Sequence, residues 1–383
     1  MTEAAKGTSQ DVRASVEGRG RRALVLRLVF ITAPAVALGG SCSAANRPVT
    51  PAIAPPLRPP REVAAEVTIE KLTLAWPLDD PTAELSDLAW VGDELFLLPQ
   101  FPSRFGPRPD GVLFKVSRAA IEGWIDGARG EPLDVRPVEF EAGGAIDRID
   151  GFQGFEAIAV EGERVFLTAE SRSEGRMHAH LMIGDLDAAH GRMSVRPDSI
   201  VELPCPGTLN NISYEALTVY QGSVVSFYES NGRALVHAPA ALVWDGSLRS
   251  FERRPMSPLE FRVTGATAPD AEGRFWVTNI FWPGEPALRA DDDPLFAAYG
   301  RGATHARSRA VERLIELRVG PLGVERTETP PLQLALSSDG RTRNWEGVAR
   351  LGERGFLLVA DEHPTTILAF VPNVLGESRR TPD

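Results

Sequence analysis

One pattern returns five times along this chain, and it constrains the fold more than any other feature. The copies are SDLAWVGDELFLLPQ from Ser86, EAIAVEGERVFLTAE from Glu156, EALTVYQGSVVSFYE from Glu215, GATAPDAEGRFWVTN from Gly265 and EGVARLGERGFLLVAD from Glu346. Each begins on a polar or small residue, runs through an apolar stretch to a turn string (VGDE, EGER, YQGS, DAEG or GERG) and returns to a polar residue. The step from first to last position is 14 residues in four copies and 15 in the fifth. Turn-forming strings between apolar runs predict β-hairpins. Residues equidistant from the turn of an antiparallel hairpin lie side by side. The two polar ends of each copy are therefore expected to be neighbours at its open end.

Two further strand-like segments follow each hairpin. They are GVLFKVS and LDVRPVEFE, then HAHLMIGDL and RMSVRPDSIVEL, then ALVHAPAALVW and LRSFERRP, then VERLIELRV and GVERTETPPLQLAL. The last unit has only ILAFV, and the first strand of the body, EVTIEKLTLAW (66–76), is the candidate for its missing partner. Repetition of one four-stranded unit around an axis predicts an all-β, five-bladed β-propeller closed by an N-terminal strand. Six blades would need a unit that the sequence does not display. A sandwich gives no reason for a polar residue to open every unit.

In a propeller the first strand of each blade lines the central channel. Ser86, Glu156, Glu215, Gly265 and Glu346 would then face the axis at one mouth. Carboxylates sharing a site raise one another's pKa, so they share protons or bind a cation. The set offers only oxygens, which suits a hard ion, and Ca²⁺ accepts irregular carboxylate, carbonyl and water ligands. The three carboxylates Glu156, Glu215 and Glu346 are the candidate ligands at that mouth. The alternative is that these side chains bond neighbouring backbone N–H groups. A second polar ring, Gln100, Glu170, Glu229, Asn279 and Asp361, ends the same hairpins. Its acids Glu170, Glu229 and Asp361 are the candidate catalytic bases. The loops at this mouth carry Arg104, Arg108, Arg148, Arg172, Arg176, Arg233, Arg341 and Arg343. Of these, Arg104, Arg148, Arg172, Arg233 and Arg343 are the candidates for binding an anionic small molecule. An Arg-rich chain with only Lys6, Lys71 and Lys115 as lysines also places Arg in loops with no such role. The longest insertion, 283–309, is a candidate lid, and His363 at the mouth a candidate acid or base.

The N-terminus reads separately. Arg19, Arg21, Arg22 and Arg27 precede the apolar run Leu28 to Leu38, and Gly39-Gly40-Ser41 then leads to Cys42. That is the form of an export signal, and LGGSC resembles a bacterial lipoprotein signal, with Leu38 one place too far from the cysteine. Residues 1–42 are therefore an export signal of lipoprotein type. Residues 43–65, with six prolines, are an extended tether. Residues 66–383 are the propeller. The expected location is the bacterial cell envelope, lipid-anchored through Cys42 or secreted. Residues 1–41 hold six basic and three acidic side chains, leaving 35 basic against 49 acidic beyond them, a net of −14. A nucleic-acid partner is excluded on that charge. Two cysteines exclude a disulfide scaffold or a Cys-rich zinc site. A monomer is expected.

The strings GFEAIAVEGERVFLTAES, NWEGVARLGERGFLLVADE and RAVERLIELRV resemble the phytase-like propeller family, also described as having esterase-like activity of phytase. The order Ser86, Glu156, Glu215, Gly265, Glu346 is also similar to the channel residues of soluble calcium-activated nucleotidases. That resemblance implies a Ca²⁺ held by Ser86, Glu156, Glu215 and Glu346. The nucleotidases' acidic-arginine signature after the second strand is absent, and PQFPSRFG stands in its place. No GxSxG, HExxH, P-loop or GxGxxG motif is present. The expected function is Ca²⁺-dependent hydrolysis of a phosphoester or phosphoanhydride. The alternative is a non-catalytic envelope propeller that binds a ligand or protein and uses the ion structurally.

Overall fold

The computed structural model describes residues 64–106, 110–207, 209, 211–233, 235–361 and 364–374. The export signal, Cys42, nearly all of the tether, Arg108 and His363 lie outside the described residues.

Five blades follow the five sequence units, in four hydrogen-bonded sheets, because Arg192–Val195 of blade two pairs in parallel with Arg136–Glu141 of blade one. Blade one is Leu85–Val91, Glu94–Pro99, Val112–Ser117 and Arg136–Glu141. Blade two is Phe152–Glu161, Arg164–Ser173 and Arg176–Asp187, edged by Arg192–Val195 and Val201–Leu203. Blade three is Ala216–Tyr220, Ser223–Phe227, Ala240–Asp245 and Phe251–Pro255. Blade four is Arg262–Ala266, Arg274–Phe281 and Val311–Gly320, edged by Gly323–Arg326 and Leu332–Leu334. Blade five is Trp345–Leu351, Gly355–Ala360 and Ile367–Pro372, completed by Glu70–Leu72 from the N-terminal end. The first strands contact one another in the order one to five, and five contacts one, so the ring is closed.

The apolar cores fix the blade number. Among the described residues there are five, each centred between two adjacent blades; the one between blades two and three also takes in Phe281 and Val311 of blade four and Leu288 and Phe296 of the insertion. Strand Arg164–Ser173 shows how one sequence serves two cores. Val165, Leu167 and Ala169 enter the core shared with blade one, and Phe166 enters the core shared with blade three. Side chains alternate between faces along a strand, so a strand covered on both faces must be apolar at every step.

Closure differs from expectation in one respect. The segment 66–76 is not one strand but two short ones. Glu66–Val67 pairs in parallel with Leu332–Leu334 of blade four, and Glu70–Leu72 pairs antiparallel with Ile367–Pro372 of blade five. A helix, Arg118–Ile125, also interrupts blade one. Ser117 caps it by accepting from the Ala120 amide at 3.2 Å, and Ile121 and Trp124 form its buried face.

Candidate metal centre at the propeller axis

The expected side-by-side pairing of the two polar ends of each hairpin does not occur. The Gln100 amide donates to the Glu84 carbonyl at 2.8 Å, and the Glu229 amide to the Ser213 carbonyl at 2.9 Å. Glu170 lies opposite Gly154, and Asn279 opposite Val263. In each case the partner sits two residues before the one expected. One of the two places lies in the turn, which closes on Val91–Glu94 and Glu161–Arg164; the other is a register shift at the opening residue itself: Ser86 falls between Leu85 and Asp87, Glu156 between Phe155 and Ala157, and Glu346 between Trp345 and Gly347. Thr264 and Gly265 occupy the same place in blade four. An extra residue in one strand bends it and re-aims a side chain. Gly265 has a further reason to be glycine, because a Cβ there would strike the Glu346 carbonyl and Gly347 backbone of the next blade.

Both rings nevertheless converge. Glu156, Glu170, Glu215, Glu229 and Glu346 are all at most 8% exposed. The Gln100 amide reaches Glu156 Oε1 at 3.1 Å. Asn344 donates to Glu346 and, at 3.1 Å, to Asp361 Oδ2. One carboxylate oxygen each from Glu170, Glu215 and Glu229 lies within 4.8 Å of the others. This trio takes one member of the expected metal set, Glu215, and two of the expected bases. Glu156 and Glu346 surround it through charge, and Ser86 is buried on the first strand of blade one.

The electrostatics follow from burial. Burial, then the charges of Glu170 and Glu346, hold the Glu156 carboxyl well above the usual range. Burial, then Glu229 and Glu346, do the same to Glu215. Burial and the neighbouring Asp361 raise Glu346. Burial and Glu229 push Glu170 up to about 7. Two oxygens, Glu170 Oε1 and Glu215 Oε2, are buried with no hydrogen-bond partner. A buried carboxylate oxygen without a donor is costly, and an all-oxygen trio is the donor set of a hard cation. The residues present fit Ca²⁺.

One group here escapes the repeat pattern. Arg262 opens the first strand of blade four, and its Nη1 lies 2.5 Å from Glu229 Oε2 and 3.8 Å from Glu215 Oε1. Its sequence signal is slight: a single arginine ahead of an otherwise small and apolar strand, three residues before Gly265. Asp87 was also not anticipated. It is 1% exposed, and its two oxygens accept the Leu88 and Ile158 amides, both at 2.8 Å. Burial still holds its carboxyl well above the usual range.

The five candidate anion-binding arginines differ in their surroundings. Arg343 is buried and committed to Glu312 (Nε to Oε2, 2.8 Å) and to the Ala335 carbonyl, so its guanidinium is already engaged within the fold. Arg148 pairs with Asp198 at 3.0 Å on the surface. Arg104 pairs with Glu84 at 2.5 Å and lies over the Phe101 ring. Arg172 and Arg233 are exposed. The insertion 283–309 is folded onto blade four rather than standing free. Glu285 pairs with Arg262, Asp293 with Arg313, and His305 with Glu66.

No family model matches the chain, and no curated protein does. Several solved structures are similar over most of their length. A putative glycosidase from Bacteroides thetaiotaomicron shares 10% identity over 80% of this chain and 97% of its own, with a TM-score of 0.42. A putative glycoside hydrolase from Parabacteroides distasonis shares 10% over 81% and 97%, with a TM-score of 0.43. A GH43_1 enzyme from Xanthomonas citri shares 12% over 78% and 91%, with a TM-score of 0.42. At these identities and TM-scores the likeness carries no argument about activity.

Proposed function

We propose that the protein is an exported, lipid-anchored propeller of phytase-like type that holds one Ca²⁺ among its axial carboxylates and hydrolyses a phosphoester or phosphoanhydride at that mouth. The observation that carries this reading is the pair of buried, partnerless oxygens on Glu170 and Glu215 beside Glu229. Glu170, Glu215 and Glu229 would hold the ion, with Glu156 and Glu346 completing the negative surround. A bound Ca²⁺ supplies Lewis-acid polarisation of a phosphoryl oxygen. The chain's own groups do the rest. Without the ion, burial and Glu229 raise the Glu170 pKa to about 7, so this carboxyl would give up its proton as the ion binds. Asp361 is oriented by Asn344. Arg104, which already pairs with Glu84, and the exposed Arg172 and Arg233 are the mouth arginines proposed to meet an anion. Anchoring through Cys42 would keep the propeller, as a monomer, at the bacterial cell envelope.

A second reading is favoured by one observation. Every carboxylate of the trio is buried, so a ligand at the mouth does not touch them without movement. In that reading the ion is structural and the mouth only binds. Calorimetric titration of the full chain with Ca²⁺, with Glu170→Gln and Glu215→Gln alongside, tests the shared premise. Binding to wild type that is lost in both variants supports the site. Failure of wild type to bind, or binding indifferent to both changes, sinks it. Binding without turnover of any compound in a phosphoester and phosphoanhydride panel decides for the second reading.

A further inference from the structure

This inference rests on the axial-cation reading and concerns Arg262. Its guanidinium, 6% exposed, has two engaged edges. Nη1 faces the trio, 2.5 Å from Glu229 Oε2 and 3.8 Å from Glu215 Oε1. The other edge forks onto Glu285, with Nη2 2.5 Å from Oε1 and Nε 3.0 Å from Oε2, and Nη2 also donates to the Asn211 carbonyl at 2.9 Å. Glu285 lies in the insertion 283–309, at the end of a turn in which its amide donates to the Trp282 carbonyl at 3.0 Å. One side chain therefore joins the axial carboxylates to the insertion.

A metal ion among Glu170, Glu215 and Glu229 competes with Nη1 for the Glu229 carboxylate. Two cations within a few ångströms in a poorly solvated site repel strongly. The guanidinium can yield Nη1 at little cost, because its two-bond fork to Glu285 remains, and such forks are the stronger kind of ion pair. A monovalent ion brings no more charge than the guanidinium it would replace, whereas a divalent ion brings twice as much. We propose that Arg262 is the resident cation of the axial site, that a divalent ion displaces its Nη1 from Glu229 and Glu215, and that Glu285 receives the guanidinium. Ion occupancy is thereby coupled to the insertion, and Arg262 sets the preference for a divalent ion. The coupling is reciprocal: the factor by which the Glu285–Arg262 contact strengthens ion binding equals the factor by which the ion strengthens that contact.

The test is a double-mutant cycle on the full chain. Ca²⁺ is titrated calorimetrically into wild type, Arg262→Met, Glu285→Gln and the double variant, and amide hydrogen exchange of 283–309 is followed with and without Ca²⁺. Arg262→Met should bind Ca²⁺ about tenfold more tightly than wild type, and Glu285→Gln about fivefold or more weakly. The Glu285→Gln effect should vanish in the Arg262→Met background. Ca²⁺ should raise protection of 283–309 in wild type and leave it unchanged in Arg262→Met. A Glu285→Gln effect of equal size in both backgrounds would mean that Glu285 acts only through its charge, and it overturns the coupling while the axial site stands. Unimproved binding in Arg262→Met does the same. Absence of binding in both wild type and Arg262→Met overturns the site and the coupling together. If Arg262→Met does not fold, Arg262→Lys carries the test. A lysine keeps the charge but cannot make the fork to Glu285, so it should bind Ca²⁺ more weakly than wild type, and wild-type affinity overturns the proposal.

Discussion

Around Arg313 every buried charge has its complement, whereas around Glu170, Glu215 and Glu229 the complement is incomplete. Arg313 and Asp293 are each about 1% exposed, and Nη1 meets Oδ2 at 2.5 Å. The Arg313 Nε is taken by Asn279 at 2.8 Å, and its guanidinium packs near the Phe261 and Phe296 rings. Glu312 is matched in the same way, by Arg343 and by the Trp345 indole N–H at 2.7 Å. At the axis, three clustered carboxylates share one guanidinium, which is also committed elsewhere, and two oxygens have no donor. The comparison teaches how to read buried charge in this molecule. Where partners are complete the ions hold elements together, and where they fall short, as at the axis, the proposed Ca²⁺ would supply the missing counter-charge.

The difference predicts opposite responses to the same kind of substitution. Asp293→Asn leaves a buried guanidinium without its counter-charge and should cost about 3–5 kcal/mol in a denaturant titration. A loss below about 1 kcal/mol would mean that the Arg313 region is not held by its ion pair. Glu215→Gln removes the cost of ionising a carboxyl that burial, Glu229 and Glu346 hold well above the usual range, so at pH 8 without Ca²⁺ it should raise stability by about 1–3 kcal/mol and abolish any Ca²⁺-dependent rise in Tm. A destabilised Glu215→Gln variant would erase the distinction between the two regions.

Acid sharpens the comparison with a smaller effect. The axial carboxyls are raised in the folded state, so the folded chain holds protons that the unfolded chain releases. Their contribution is favourable at low pH and is lost as pH rises from about 4.5 through the folded value, about 7 for Glu170. The Tm gain from Ca²⁺ should therefore grow between about pH 4.5 and about pH 7, the unfolded and folded values of Glu170. The Glu66–His305 pair runs the other way. Burial lowers the His305 pKa although Glu66 opposes it, and its Nε2 accepts the Glu312 amide at 3.2 Å, which requires a neutral ring. Burial raises Glu66, but hydrogen bonds from His305 and Thr304 outweigh it and the net shift is downward. Stability from this pair is present above pH 6.5, the ordinary His value, and falls as acid protonates the unfolded chain first. Hydrogen exchange on acidification should thus loosen residues 64–74 and 302–307 before the axis. The reverse order would show that the two sites are not oppositely poised.

The blade plan was legible because a hairpin is a local object: its turn string and flanking apolar runs lie within 15 residues of sequence. The identity of the N-terminal closing segment was legible by subtraction, since blade five lacked a strand. The site was legible only in outline. The register shift at Ser86, Glu156 and Glu346 adds no distinctive residue, so counting from the turn misplaced the partners of Gln100 and Glu170 and passed over Asp87. Arg262 and Asp293 were invisible as site elements because their meaning depends on groups 20 to 47 positions away in the chain. Arg343 illustrates the converse, a loop arginine that looked available and is held by Glu312.

The closing segment also has a mechanical consequence. The chain enters the ring at the seam between blades four and five, and the first described strand residue, Glu66, sends its carboxylate to the Thr304 and His305 amides, the Thr304 hydroxyl and the His305 ring. Tension applied from the N-terminal side is therefore borne first by blade four and its insertion, in shear along the parallel pairing of Glu66–Val67 with Gln333 and Leu334. It reaches the strand Glu70–Leu72, which completes blade five, only after that clasp has yielded. Pulling the molecule from its N-terminal end would read that order as two successive yields, with the axis loaded last.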